Sequence, residues 1–138
     1  MGTTFPKLSS KALLSPMAGI TDVAFRTLAK RYGAGLTYTE FVNSTSIVRG
    51  NKKSEELLKT STEEQPVAVQ LFGNNLQDII QAAQQLENRF DIIDINCGCP
   101  AWKVIKTGAG SALLKKPEAI AEFVHKLVIA INRPVTVK

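Results

Sequence analysis

Short apolar runs alternate along this chain with longer segments of helical periodicity. The apolar runs predict strands at residues 12–15, 36–42, 67–72, 92–96 and 135–138. Between them, the spacing of apolar residues and the flanking capping residues predict helices near residues 22–32, 54–59, 76–90 and 117–131. Strand and helix repeated in this way, with short links, are typical of a parallel sheet with right-handed crossovers. The pattern therefore predicts an α/β fold.

Several residues predict where these elements begin and end. Thr21 is expected to cap the first helix and Gly33 to stop it. Asn75 with Asp78 resembles a capping box at the start of the most regular helix. The polar stretch at residues 43–53 is expected to form a loop.

The periodicity fits both an open doubly wound sheet and a (β/α) barrel. A barrel collects its site from the ends of many strands, whereas an open sheet binds mainly at one switch point. Polar or unusual residues follow nearly every predicted strand here: Met17, Gly19, Thr39, Glu40, Gln70, Asn96 and Lys138. No G-x-G-x-x-G follows the first strand, which leaves a Rossmann site with little support. The sequence therefore favours an incomplete TIM-type barrel, with about five of its eight strand–helix units.

Composition narrows the class of protein. The 138 residues are 44% hydrophobic and 21% charged, as expected of one globular unit. No apolar run approaches the roughly 20 residues that span a bilayer. Residues 1–10 lack the apolar core of a signal peptide, so a cytoplasmic location and no membrane partner are expected. The net charge of +5 is compatible with nucleic-acid binding without requiring it.

The two cysteines, Cys97 and Cys99, are the most informative candidates for chemistry. They are too close in sequence to staple a fold, and with His125 as the single histidine they are too few for a closed zinc site. On a strand, Asp94 and Asn96 should face one side and Cys97 the other. Cys97 is therefore expected to be an apolar filler against the helices.

Cys99 should lie on a loop at the rim of the barrel, close to Asn96. A rim cysteine can be a proton donor, a nucleophile or a small apolar filler. Lys103 and Lys106 follow in the same loop, and cationic neighbours favour thiolate character. The residues alone leave these alternatives open.

Several motifs, taken together and in order, carry a family resemblance. They are SPMAGITD at residues 15–22 with FR at 25–26, TE at 39–40, QLFG at 70–73, DINCGCP at 94–100 with Lys103, GAGSAL at 108–113, and PVTVK at 134–138. In type and order they resemble the tRNA-dihydrouridine synthases, and they cover nearly the whole chain.

The resemblance implies an FMN-dependent enzyme that reduces a uracil base of tRNA to 5,6-dihydrouridine, with NADPH or NADH as the reductant. It implies hydride transfer from reduced FMN to C6 and protonation of C5 by Cys99. Asn96 and Lys103 match substrate-binding positions. The implied cofactor-binding residues are Pro16, Met17 and Ala18 along the flavin ring, Gln70 at its pyrimidine edge, and Lys138 near N1 and O2.

The resemblance also implies that residues 1–138 are the N-terminal portion of an FMN-binding barrel domain. Family members continue with further barrel units and a helical tRNA-binding domain, which are absent from this sequence. We therefore expect the chain on its own to bind FMN poorly and to be inactive, and a second copy is a candidate partner for its open edge.

Two alternatives remain at this point. One is a flavin barrel oxidoreductase of the dihydroorotate or dihydropyrimidine dehydrogenase kind, which also acts on a pyrimidine C5–C6 bond. Gly98 and Ala101 depart from the motif of that group, and no iron–sulfur cysteines are present. The other is a non-catalytic half-barrel that serves as an RNA-binding or assembly module.

Overall fold

A computed structural model describes residues 3–138, so the first two residues of the predicted unit lie outside the description. The strands are β1 (Leu13–Leu14), β2 (Leu36–Tyr38), β3 (Val42–Asn43), β4 (Val67–Phe72), β5 (Ile92–Ile95) and β6 (Val135–Val137). The helices are α1 (Val23–Arg31), α2 (Ser44–Val48), α3 (Lys52–Leu57), α4 (Leu76–Leu86), α5 (Trp102–Ile105) and α6 (Pro117–Ala130). Short 3-10 turns cover Thr62–Glu64 and Gly110–Lys115. Among the described residues, no helix has the length and apolar character needed to cross a bilayer.

The strands form one parallel sheet in which spatial order follows chain order. The path runs β1-β2-β4-β5-β6, and β3 also pairs with β4. A doubly wound sheet would reverse direction at a switch point, and this sheet does not. The fold is therefore an incomplete TIM-type barrel, as the sequence predicts.

The two faces of the sheet carry different clusters. Val69, Leu71 and Ile93 belong to the large outer cluster beneath the helices. Ala68 and Ile92 belong to a small cluster on the opposite, inner face. This alternation follows from the two-residue repeat of a strand. Helices α2, α4 and α6 contribute residues to the outer cluster, so they cover that face of the sheet.

The predicted second strand, residues 36–42, is interrupted. Tyr38 pairs with Ala68, but Val42 pairs with Leu71, so four steps along one strand match three along its neighbour. One extra residue in a strand is a bulge, which reverses the faces beyond it. Val42 consequently packs in the outer cluster, although Tyr38, an even number of positions earlier, contacts the inner one.

Two predicted boundary features are wrong. Asp22, not Thr21, caps α1, because the Asp22 carboxylate accepts the N–H of Phe25 at 2.8 Å. Residues 43–53 are not a loop, since α2 lies inside them and α3 begins there. The helix predicted at 54–59 is thus present as α3 but begins earlier, whereas α2 escapes prediction because tertiary packing, not amphipathic periodicity, stabilises so short a helix.

Other boundaries agree with the prediction or refine it. Gly33 follows α1 with φ of 94°, a conformation that favours glycine. Asn75 caps α4 by accepting the N–H groups of Gln77 and Asp78. The Asp78 carboxylate, however, accepts a hydrogen bond from the hydroxyl of Thr45 on α2. Only half of the expected capping box forms: Asn75 caps α4, whereas Asp78 links α4 to α2.

A buried ion pair fixes α1 to the segment that precedes β4. The Arg26 guanidinium, 1% exposed, lies 2.5 Å from the carboxylate of Glu64, which is fully buried. Arg26 also donates to the carbonyl oxygens of Thr21 and Lys59, each at 2.7 Å, and Glu64 accepts the N–H of Ser61 at 2.7 Å. Both charges are thus hydrogen-bonded, which is what permits their burial.

Replacing Glu64 should destabilise the fold far more than replacing its neighbour. Glu64→Gln leaves the Arg26 charge buried without a counter-charge, at an expected cost of about 3–5 kcal/mol in the free energy of unfolding. Glu63→Gln breaks an exposed ion pair, in which the Arg31 side chain is 64% exposed and the Glu63 side chain 56%. Its loss should lower the free energy of unfolding by less than about 1 kcal/mol. Urea unfolding of both variants tests this, and equal losses would contradict it.

Candidate active site

A cavity of about 240 Å³ lies at the carboxyl-terminal ends of the strands. Its lining comes from β1 and the loop after it, from β2, from β5, and from β6: Leu13, Ser15, Pro16, Tyr38, Asp94, Val137 and Lys138. Of the cofactor-binding residues predicted from sequence, Pro16 and Lys138 line this cavity. Met17 and Ala18 continue the same loop and are exposed.

The loop after β1 is held in a defined turn. The carbonyl oxygen of Met17 accepts the N–H groups of Ile20 and Thr21, both at 3.0 Å, and the Met17 N–H donates to the Thr21 hydroxyl at 3.0 Å. The N–H of Gly19 donates to the carboxylate of Glu40, beyond β2. Thr21 therefore shapes this loop instead of capping α1, and Glu40 fixes the loop against the end of the neighbouring strand.

The inner face of β4, β5 and β6 carries a buried polar network. Gln70 donates through Nε2 to Asp94 Oδ2 at 2.6 Å, and Asn96 donates through Nδ2 to Gln70 Oε1 at 2.9 Å. The Thr136 hydroxyl donates to Asp94 Oδ1. Pairing of Gln70 with Asp94 and of Asp94 with Thr136 in the sheet places these side chains together. The prediction that Asp94 and Asn96 share one face, opposite Cys97, is confirmed.

Asn96 extends this network to the loop that carries Cys99. Its Oδ1 accepts the N–H of Cys99 at 3.0 Å and that of Gly98 at 3.3 Å. The Cys99 carbonyl oxygen accepts the N–H of Ser111 at 3.0 Å. Gly110 has φ of 61°, and a Cβ there would come within 2.8 Å of that carbonyl, so only glycine fits. The loop is thus held from both sides, with Cys99 half-buried at the rim.

The two cysteines occupy different environments, as predicted. Cys97 is 3% exposed and belongs to the outer apolar cluster. Burial, with a smaller effect of the Asp94 charge, raises the pKa of the Cys97 thiol to about 11. Its N–H donates to the carbonyl oxygen of Lys138 at 2.7 Å, which joins β5 to β6. Cys97 is therefore a structural residue, whereas Cys99 is accessible.

Lys103 is not part of the cavity wall. It lies on α5, exposed, in the segment that follows Cys99. Gln70 and Asn96 are fully or almost fully buried and also lie outside the cavity lining. The structure thus brings Gln70, Asn96 and Cys99 into one hydrogen-bonded set, and Pro16 and Lys138 into the cavity.

Asp94 connects the network to the cavity. Burial raises the pKa of its carboxyl group, while hydrogen bonds from Gln70 and Thr136 and the positive charge of Lys138 offset part of that rise. Burial, together with the Asp94 charge, likewise raises the pKa of the Tyr38 hydroxyl. Burial therefore disfavours the ionised forms of Asp94 and Tyr38. The charge of Asp94 depends on Gln70, Thr136 and Lys138 for stabilisation.

Sequence reasoning did not include Asp94, Tyr38 or Thr136 among the site residues. One feature could have indicated Asp94, because an acidic residue between two isoleucines of a buried strand needs a specific partner. Tyr38 and Thr136 carry no such feature. They join the site only through the pairing of their strands.

Alkylation should distinguish the two thiols. Iodoacetamide at about pH 8 is expected to label Cys99 and spare Cys97, because a thiol of pKa about 11 at 3% exposure presents almost no thiolate. Peptide mass spectrometry of the native chain measures both rates, and denatured protein, in which both should react, is the control. Faster labelling of Cys97 would contradict the assigned geometry.

Replacement of Asp94 should change the pH dependence of stability. Because the pKa of this carboxyl is raised on folding, the native state holds a proton that the unfolded state has already lost. The free energy of unfolding of the wild type should therefore fall as pH rises from about 4, the ordinary value for aspartate, through the raised pKa. Asp94→Asn should lack this fall, so its stability relative to wild type should increase across that window.

Urea unfolding over a pH series measures this difference. Asp22→Asn is the matched control, since asparagine caps a helix about as well as aspartate. Identical pH profiles for wild type and Asp94→Asn would show that the buried carboxyl does not titrate as described.

Comparison with known proteins agrees with this architecture. A family model described as dihydrouridine synthase (Dus) matches residues 13–138. The chain is 43% identical over 133 residues to the tRNA-dihydrouridine synthase B of Vibrio vulnificus, covering 96% of this chain and 41% of that protein. It is 41% identical over 132 residues to the protein of the same name from Xanthomonas axonopodis pv. citri, covering 95% and 40%. The chain thus spans about two fifths of the length of these curated relatives. It belongs to the dihydrouridine synthase family.

Proposed function

We propose that this chain supplies the uridine-reducing site of an FMN-dependent tRNA dihydrouridine synthase. The observation that supports this most directly is the bond between Asn96 Oδ1 and the Cys99 N–H, 3.0 Å long. It holds an accessible thiol beyond the end of β5, at the edge of the sheet where the cavity opens. Nothing in residues 3–138 favours a dihydroorotate or dihydropyrimidine dehydrogenase over this function.

The residues around the cavity suit an isoalloxazine ring. Leu13, Pro16 and Val137 offer apolar surface, and Lys138 offers a cation for an electron-rich edge. Gln70 does not line the cavity; its amide uses one N–H and one lone pair within the protein and retains one of each. The volume of about 240 Å³ is below the roughly 300–1,000 Å³ usual for a cofactor site, so these residues would hold only part of the group.

When bound, FMN in its reduced form would supply the hydride that is added to C6 of the uracil. NADPH or NADH would then reduce the flavin again. Cys99 would deliver a proton to C5 from the thiol. Asn96 would orient the base while its Oδ1 keeps the Cys99 loop in place. Met17 and Ala18 would border the ring on the exposed side of the loop after β1.

The macromolecular substrate would be tRNA, as in the names of the curated relatives. Lys103 follows the Cys99 loop and would contact the phosphate backbone near the target uridine. Other exposed lysines are further candidates for phosphate contacts: Lys52, Lys53, Lys106, Lys115 and Lys116. The target base must leave its stack to reach the site, as bases do in other nucleic-acid-modifying enzymes. With tRNA as the substrate, the expected compartment is the cytoplasm.

Cys99→Ala should abolish dihydrouridine formation while leaving NADPH-dependent flavin reduction intact, because only the proton donor is lost. The test uses the complete gene product with tRNA, with dihydrouridine measured by mass spectrometry and NADPH oxidation by absorbance. Cys97→Ala is the matched control, since it removes the other thiol from the opposite face of β5. Undiminished dihydrouridine formation by Cys99→Ala would rule out this role.

A further inference from the structure

The single tryptophan of the chain is unusually exposed. Trp102 begins α5, and 73% of its surface is accessible, although large aromatic side chains are normally mostly buried. The sequence motifs that carry the family resemblance do not assign it a role.

The backbone fixes the outward direction of this ring. The Ala101 carbonyl oxygen accepts the N–H groups of Val104 and Ile105, at 2.9 and 3.0 Å. Val104 is 5% exposed and lies where a Cβ on Gly110 would collide with it, so it faces the interior. Trp102 lies two residues before Val104, and two residues of a helix correspond to a rotation of about 200°. Trp102 therefore faces the solvent. Lys106, whose N–H donates to the Trp102 carbonyl at 3.0 Å, stands on the same face.

The segment of chain that carries Trp102 is cationic. Residues 101–117 include four lysines and no aspartate or glutamate. All four are exposed, and within residues 3–138 none of them forms a salt bridge with a carboxylate: Lys103, Lys106, Lys115 and Lys116. An exposed aromatic ring among unpaired cations is the combination that binds single-stranded nucleic acid, through base stacking and phosphate contacts.

We propose that Trp102 stacks on an unpaired base of the RNA substrate, next to the uridine that would be reduced. Trp102 lies three positions after Cys99 in the chain, so their Cα atoms are at most about 11 Å apart. A base on the indole would therefore be close to a uridine held at Cys99. The inference rests on the proposed function for its RNA, and it adds a residue that selects for a flanking base able to leave the duplex.

Because Trp102 is the only tryptophan, its fluorescence reports on this position alone. Titration of the chain with single-stranded oligouridylate should quench the emission, since a stacked base contacts the indole. Inorganic polyphosphate, which carries the charge without bases, should bind the lysines with little quenching. Equal quenching by both polyanions would overturn the stacking role.

Affinity measured with fluorescently labelled oligouridylate gives a second readout. Trp102→Ala should weaken binding at least about fivefold, and Trp102→Phe, which keeps a ring, should restore most of it. Tyr32→Ala is the matched control. Tyr32 is 86% exposed, but it ends α1 and precedes β2, so it lies at the amino-terminal ends of the strands. Its loss should not change the affinity.

The outcomes separate this inference from the proposed function. If oligouridylate binds without quenching and Trp102→Ala binds as tightly as wild type, the inference fails while RNA binding stands. If the chain binds no RNA, the inference also fails, and the Cys99→Ala assay decides the proposed function independently. In the complete gene product, Trp102→Ala should raise KM for tRNA with little change in kcat, and an unchanged KM would overturn the inference.

Discussion

A carboxylate buried inside a parallel sheet must be hydrogen-bonded, and the arrangement of this site follows from how Asp94 meets that requirement. In its ionised form Asp94 can only accept, so the Gln70 amide must present Nε2 to it. Gln70 Oε1 then faces Asn96 Nδ2, and Asn96 Oδ1 is left to accept the N–H of Cys99. The Asp94 carboxylate thereby fixes the orientations of the Gln70 and Asn96 amides. Through Asn96 it also fixes the position of the Cys99 loop.

The rest of the fold supports the strands that carry this network. The outer cluster, which includes Ile93, Ile95 and Cys97, packs the same strand against the helices. Farther away, the Arg26–Glu64 pair joins α1 to the segment before β4, so the strand that carries Gln70 starts from a fixed point. The bulge between β2 and β3 leaves Tyr38 on the inner face while Val42 fills the outer one. Each of these features supports the inner face of the sheet without forming part of the chemistry.

The family membership and this geometry suggest a division of labour along β5. Alternation directs Asp94 and Asn96 to the inner face of the sheet and Cys97 to the outer cluster, and the loop beyond the strand leaves Cys99 half-buried. Two cysteines only two positions apart thus differ in exposure, and one of them is withheld from chemistry by a pKa of about 11. The α5 turn that follows adds cations and an exposed indole, which extends the proposed site from a cofactor cavity towards an RNA surface.

The sequence by itself determined the order of strands and helices, the parallel sheet, the opposite faces of Asp94 and Cys97, and the family. Those properties follow from local periodicity and from motifs contiguous in the chain. It could not determine the cap at Asp22, the short helix α2, or the bulge, because these depend on a few hydrogen bonds and on packing that have no periodic pattern. Only the tertiary structure decided that Gln70, Asp94 and Thr136 share one network, since three strands distant in sequence must pair in a particular register before their side chains can meet.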